Sequence, residues 1–140
     1  MQLKHKLTVV TSAALFSPLA LAVSTSPASA AGLCDGYDKP TARTIQQGQT
    51  QIPWSYVPSP NPGTYSVCLD GPDGTDLDLV MKRWDDAAYQ WATVATSTTP
   101  GPDEKLTYTE TLGSTAYLIY VTAVRGSGDY TLAYNHTPAG

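Results

Sequence analysis

The chain has 140 residues, of which 41% are hydrophobic, 9% aromatic and 14% charged, and its formal net charge is −4. No basic excess is available to neutralise phosphates, which argues against nucleic-acid binding. The charged fraction is too low for a coiled coil or an acidic disordered tail, and the length allows one domain.

The chain opens with Lys4, His5 and Lys6, followed by an apolar stretch over 7–23. Ser24 and Pro27 break it, and Ala28, Ser29 and Ala30 supply small residues at the positions a signal peptidase reads. This three-part layout predicts a secretory signal peptide over 1–30. A membrane anchor is the weaker reading, because a span needs about 20 apolar residues and Pro18 and several Ser and Thr interrupt this one. The expectation is therefore a secreted, extracellular module over 31–140 with no membrane contact once the signal is removed. That module would hold six basic against twelve acidic residues, with nine Tyr and three Trp as its aromatic content.

Both cysteines, Cys34 and Cys68, fall in the module. Two cysteines allow one connectivity, and export favours oxidation. The bridge would close a loop of about 35 residues, worth roughly 3–4 kcal/mol in the chain-entropy model. A free catalytic thiol is the poorer alternative. It would need a base, and the module's one histidine, His136, lies near the end of the chain, where fraying is expected.

Long helical periodicity is absent, and Pro and Gly recur between short runs rich in Val, Ile, Thr, Tyr and Trp. That pattern predicts an all-β sandwich or barrel. The predicted strands cover 41–47, 49–56, 63–69, 76–84, 89–97, 106–111, 116–124 and 129–134, about eight in all. Within 63–69, Tyr65, Val67 and Leu69 alternate with Thr64, Ser66 and Cys68. Within 76–84, Leu77, Leu79, Met81 and Arg83 alternate with Asp76, Asp78, Val80, Lys82 and Trp84. The segment 116–124 is apolar on both faces, which predicts a central strand. Gly126, Ser127 and Gly128 would then turn it into a final hairpin with 129–134. The segment 57–63 holds Pro58, Pro60 and Pro62 and is predicted to be a stiff loop.

The densest polar cluster is Asp70-Gly71-Pro72-Asp73-Gly74-Thr75-Asp76-Leu77-Asp78. Asp76 and Asp78 are two apart on a strand, so they share a face at roughly 7 Å. Their repulsion would be relieved by solvent, by a basic side chain or by a cation. Asp70, Asp73, Asp76 and Asp78 are thus a candidate Ca²⁺ set, although the cluster lacks EF-hand spacing, and Asp and Gly are ordinary turn residues. Paired carboxylates could also do acid–base chemistry, but that needs an apolar pocket and a cleft. No GxSxG, zinc spacing or phosphate loop is present, so no catalytic residue is assigned. The sequence Asn135-His136-Thr137 fits a glycosylation sequon.

The aromatics Trp84, Tyr89 and Trp91 flank the turn Asp85-Asp86-Ala87-Ala88. On an exposed hairpin tip they could stack on sugar rings or grip a protein. In the blander reading, Trp91 fills the core and Trp84 covers a sheet edge. Trp54 is ambiguous in the same way.

These motifs, in this order, carry a resemblance. Leu69-Asp70-Gly71-Pro72, Asp76-Leu77-Asp78-Leu79, the Trp84 to Trp91 hairpin, Gly101-Pro102-Asp103-Glu104 and Gly126-Ser127-Gly128-Asp129-Tyr130-Thr131-Leu132 together resemble the bacterial pre-peptidase C-terminal domain. That module is appended to many secreted proteases. Cys34-Asp35-Gly36-Tyr37, with pairing to Cys68, is similar to the version at the C-terminus of actinobacterial secreted trypsin-like proteases. The resemblance implies a jelly-roll-like sandwich without catalytic residues of its own. Modules of this family are removed after secretion or help a protease bind substrate or matrix, and some relatives bind calcium. Val80 stands where the family often has Tyr. No protease precedes the module here, so the expectation is a free-standing one.

The leading functional expectation is a non-catalytic secreted module that binds an extracellular polysaccharide or protein through Trp84, Tyr89 and Trp91. The alternative is a secreted protease inhibitor or protease-associated partner using the Pro-rich loop. The third reading is a small hydrolase using Asp76 or Asp78.

Overall fold

The computed structural model describes residues 32–54, 57–59, 62–112 and 115–140. The expected signal segment 1–30, Pro60 of the Pro-rich loop and the expected turn at Gly113 lie outside the described residues.

Nine strands form: β1 (Thr41–Ile45), β2 (Thr50–Gln51), β3 (Val57–Ser59), β4 (Gly63–Asp70), β5 (Asp76–Asp85), β6 (Gln90–Ser97), β7 (Glu104–Glu110), β8 (Thr115–Arg125) and β9 (Gly128–Pro138). No helix occurs among the described residues, so none there is long and apolar enough to cross a membrane. One antiparallel sheet has the order β1-β9-β4-β7, and the other the order β2-β8-β5-β6, with β3 also paired to β8. Counting β2 and β3 as one interrupted edge strand, the order is that of a jelly roll. The expected sandwich is therefore present, with its single bridge Cys34–Cys68 at a Cα–Cα distance of 5.6 Å.

Period-two alternation builds the core. Ile45, Tyr65, Val67, Leu69, Leu106, Tyr130 and Leu132 descend from one sheet, and Leu77, Leu79, Met81, Tyr117, Ile119, Val121 and Ala123 from the other. Seven of these are the largest aliphatic or sulfur-bearing chains with essentially no exposure: Ile45, Leu69, Leu77, Leu79, Met81, Ile119 and Leu132. Each such burial contributes about 1.5–3 kcal/mol. Trp54 packs against this core and meets Tyr134 edge-on at 5.1 Å.

Three expectations are corrected. The last two strands do not form a hairpin: β8 belongs to the five-stranded sheet and β9 to the four-stranded sheet. Gly126 adopts φ 77°, and a Cβ there would stand 2.9 Å from the Thr75 side chain, so the turn carries the chain across the sandwich instead of folding it back. Part of the expected stiff loop is strand, since β3 pairs with Tyr117, Ala116 and Thr115 of β8. The C-terminal tail is not frayed either. His136 lies opposite Tyr65 in the β4–β9 ladder and stacks on that ring at 4.5 Å.

The residues before β1 strap the outer face of the four-stranded sheet. Cys34, Cys68 and Ala133 form a small buried cluster with Tyr37 beside it. The Leu33 N–H donates to Asp70 Oδ2 at 2.8 Å, the Asp38 N–H donates to Asn135 Oδ1 at 2.6 Å, and the Tyr134 N–H donates to the Asp38 carbonyl at 3.3 Å. Asn135, the sequon residue, is thereby engaged within the fold. A Cys34→Ser, Cys68→Ala variant should lose about 3 kcal/mol of stability. Urea unfolding at neutral pH would read this as a lower midpoint, and an unchanged midpoint would contradict the bracing role.

Candidate functional site

The hairpin joining β5 to β6 is locally encoded. Asp85 Oδ1 accepts the N–H groups of Ala87 at 3.0 Å and Ala88 at 3.1 Å, so the aspartate closes the turn on its own backbone. Tyr89 completes it at φ 51°, a left-handed conformation uncommon outside glycine, and its side chain is 83% exposed. The register then sets Trp84 directly opposite Trp91. Their rings meet edge-on at 5.3 Å and 67°, a favourable cross-strand aromatic pair.

Leu77, Leu79 and Met81 point into the core, so Val80, Lys82 and Trp84 point out of the five-stranded sheet. On neighbouring β8, Leu118 lies opposite Lys82 and Tyr120 opposite Val80. Lys82 Nζ sits over the Tyr120 ring at 5.0 Å, a cation–π contact. Further along, the hydroxyls of Thr50 and Thr122 are 2.8 Å apart. The result is an outer face of half-exposed aromatic rings, hydroxyls and the Lys82 ammonium, with Asp76 and Asp78 farther along β5. Trp91 does not enter the core as the blander reading expected. The β5–β6 register shift between Met81 and Lys82 leaves Val94 and Ala95 of β6 packed against the core, while Trp91 pairs with Trp84 outside it.

Two of the four aspartates expected to gather a cation are engaged by separate backbone groups. Asp70 takes the Leu33 N–H, Asp76 Oδ1 takes the Gly101 N–H at 3.0 Å, and Asp73 is exposed. Among the described residues, no group of three or more His, Cys, Asp or Glu side chains converges as a ligand set. Burial raises the Asp78 carboxyl above the usual aspartate range, and the charges of Asp76 and Glu104 raise it further.

Two buried carboxylates escaped the sequence reading. Glu104 accepts hydrogen bonds from Thr99 Oγ1 at 2.8 Å and from Ser97 Oγ. At the other end of β7, Glu110 Oε2 accepts from Arg83 Nε at 2.7 Å and from the Tyr117 hydroxyl, and Oε1 accepts from the Leu112 N–H at 2.7 Å. Burial pushes Glu110 up, but the hydrogen bonds from Tyr117, Leu112 and Arg83 outweigh it and hold the carboxyl below its usual range. The signal in the sequence was Arg83, which continues the inward alternation of Leu77, Leu79 and Met81 and therefore needed an internal partner. Both carboxylates have their oxygens occupied by donors from the fold. On β9, His136 Nε2 is buried without a hydrogen-bond partner among the described residues.

No family model matches the chain. Among solved structures, the fold is similar to that in the crystal structure of the Yersinia pseudotuberculosis-derived mitogen. The TM-score is 0.56 at 13% sequence identity, over 73% of this chain and 87% of that one. At this identity the likeness is one of fold alone.

Two outcomes follow from the polar groups. A depressed folded-state pKa gives stability that is present above the unfolded value and lost as pH falls through the folded one. Acid titration of unfolding should therefore show the wild-type protein losing stability below the ordinary glutamate range, and Glu110→Gln should be less stable at neutral pH and flatter in acid. Because Asp70 and Asp76 are engaged by separate backbone groups and no ligand set converges among the described residues, thermal melts in millimolar Ca²⁺ and in chelator should superpose. A higher melting temperature with Ca²⁺ would instead report a native-state site.

Proposed function

We propose that this chain is a secreted, non-catalytic β-sandwich module, of the pre-peptidase C-terminal kind, that binds an extracellular polymer or protein through the outer face of its five-stranded sheet. The observation that carries the reading is the Trp84–Trp91 pair with Tyr89 projecting beside it on a self-capped turn. Rings fixed by cross-strand pairing offer apolar area at little cost in side-chain entropy, which suits stacking on sugar rings or on a partner's side chains. The two outer faces differ in the same sense. The segment before β1 and its disulfide cover the four-stranded sheet, whereas the Trp84 face carries its aromatic and hydroxyl groups half-exposed. A bridged domain fits an oxidising, extracellular setting.

Retention on insoluble polysaccharide and on a collagen-like matrix tests the reading. The double variant Trp84→Ala, Tyr89→Ala should lose about tenfold or more in binding, in line with the cost of truncating aromatic anchors. Equal retention of variant and wild type would remove this surface from consideration.

A further inference from the structure

A concave feature lies where the free edge of β1 meets β2. Arg43, Thr44, Gln51, Ile52 and Pro53 line a furrow of about 460 Å³. Arg43 and Thr44 also border an adjoining hollow of about 240 Å³, closed by Ala42 and Asp129. The first volume lies within the size range of small-ligand pockets.

The walls are held in place by the fold. The Gln51 amide donates from Nε2 to the Thr44 carbonyl at 2.8 Å, and its Oε1 accepts the Tyr130 hydroxyl at 2.8 Å. Thr44 Oγ1 donates to Asp129 Oδ1. Gln51, Tyr130, Thr44 and Asp129 therefore use these groups within the fold. Arg43 is different. Its Nη2 donates to the Pro53 carbonyl at 3.2 Å, which ties this exposed side chain to the furrow wall and uses one of its five N–H donors. Among the described residues, the ion pair is Arg83 with Glu110, and no carboxylate is paired with Arg43. Asp129 borders the adjoining hollow and not the furrow itself. Ile52, 44% exposed, and Pro53 give the furrow an apolar flank. In a chain of net charge −4, a guanidinium anchored by a carbonyl, open on its remaining donors and flanked by apolar surface matches a planar carboxylate on a small carbon skeleton.

We infer that the Arg43 furrow is a binding site for a carboxylate-bearing ligand about the size of one sugar or one amino acid. The carboxylate sits on the free donors of Arg43, and the ligand's C–H surface rests on Ile52 and Pro53. A uronic acid unit of a glycan and a free amino acid share this chemistry.

Titration of the purified chain with glucuronate, glutamate and glucose, followed by backbone amide NMR, tests the site and separates the two sources. The expected result is that glucuronate or glutamate shifts the amides of residues 42–52, that glucose does not, and that added salt weakens the effect. Arg43→Gln should weaken the affinity by about tenfold or more, the usual scale for losing a hydrogen bond to a charged group, and Arg43→Lys should keep part of it. Binding of glucose equal to that of glucuronate, absence of shifts with both acids, or unchanged acid affinity in a folded Arg43→Gln variant would each overturn the site. If Arg43→Gln fails to fold, the comparison of glucuronate with glucose on the wild-type chain still decides. The Trp84→Ala, Tyr89→Ala variant should bind the acids as wild type does, so the fate of this site is read separately from that of the aromatic face.

Discussion

The organisation of this protein depends on one constraint: two twisted sheets must bury their facing side chains against each other. The core strands alternate with period two. Once Leu77, Leu79 and Met81 are committed inward to meet Tyr65, Val67 and Leu69, the direction of every other side chain on β4 and β5 follows. A slip of one residue would place Lys82 and Asp78 in the core and Leu79 in water. The outward direction of Trp84 is thus a consequence of where the leucines point.

The same constraint explains the polar groups at the ends of the sandwich. Alternation brings Arg83 inward just past Met81, where the core gives out. A half-buried guanidinium needs a partner, and β7 supplies Glu110, itself 2% exposed and further held by Tyr117 and Leu112. At the opposite end of β7, Glu104 is held by the hydroxyls of Ser97, at the end of β6, and of Thr99 in the connection that follows. Such groups add little net stability over an apolar core but are costly to leave half-paired. They fix the ends of the sandwich in one arrangement.

The two outer faces are treated differently. Cys34 and Cys68 lie 34 residues apart in sequence and fasten the segment before β1 across the four-stranded sheet. The five-stranded sheet presents Trp84, Trp91, Lys82 and Tyr120. The β1–β2 edge is closed by the side chains of Arg43 and Gln51 rather than by a backbone ladder. Short edge strands, with side chains spanning the gap, are one way a sandwich avoids an open template for pairing. At this edge they also leave a charged furrow.

Strand content, the inward set on β4 and β5, the central position of β8, the disulfide and the Trp84–Trp91 hairpin were all legible in the sequence. Each is written in local terms: period-two hydrophobicity, turn residues, or the fact that two cysteines have one pairing. What the sequence did not contain was the assignment of strands to sheets. Gly126-Ser127-Gly128 reads as a hairpin turn, yet it passes β9 to the other sheet, because β9 has its partners in β4 and β1, more than 50 residues upstream. The position of Trp91 outside the core, the order of His136 and the pairing of Arg83 with Glu110 are non-local in the same sense. The amino-acid order determined which segments extend and which of their faces are apolar. Only the tertiary structure decided which strands meet, because ladder hydrogen bonds are chemically alike and the choice among them rests on how all the apolar faces pack at once.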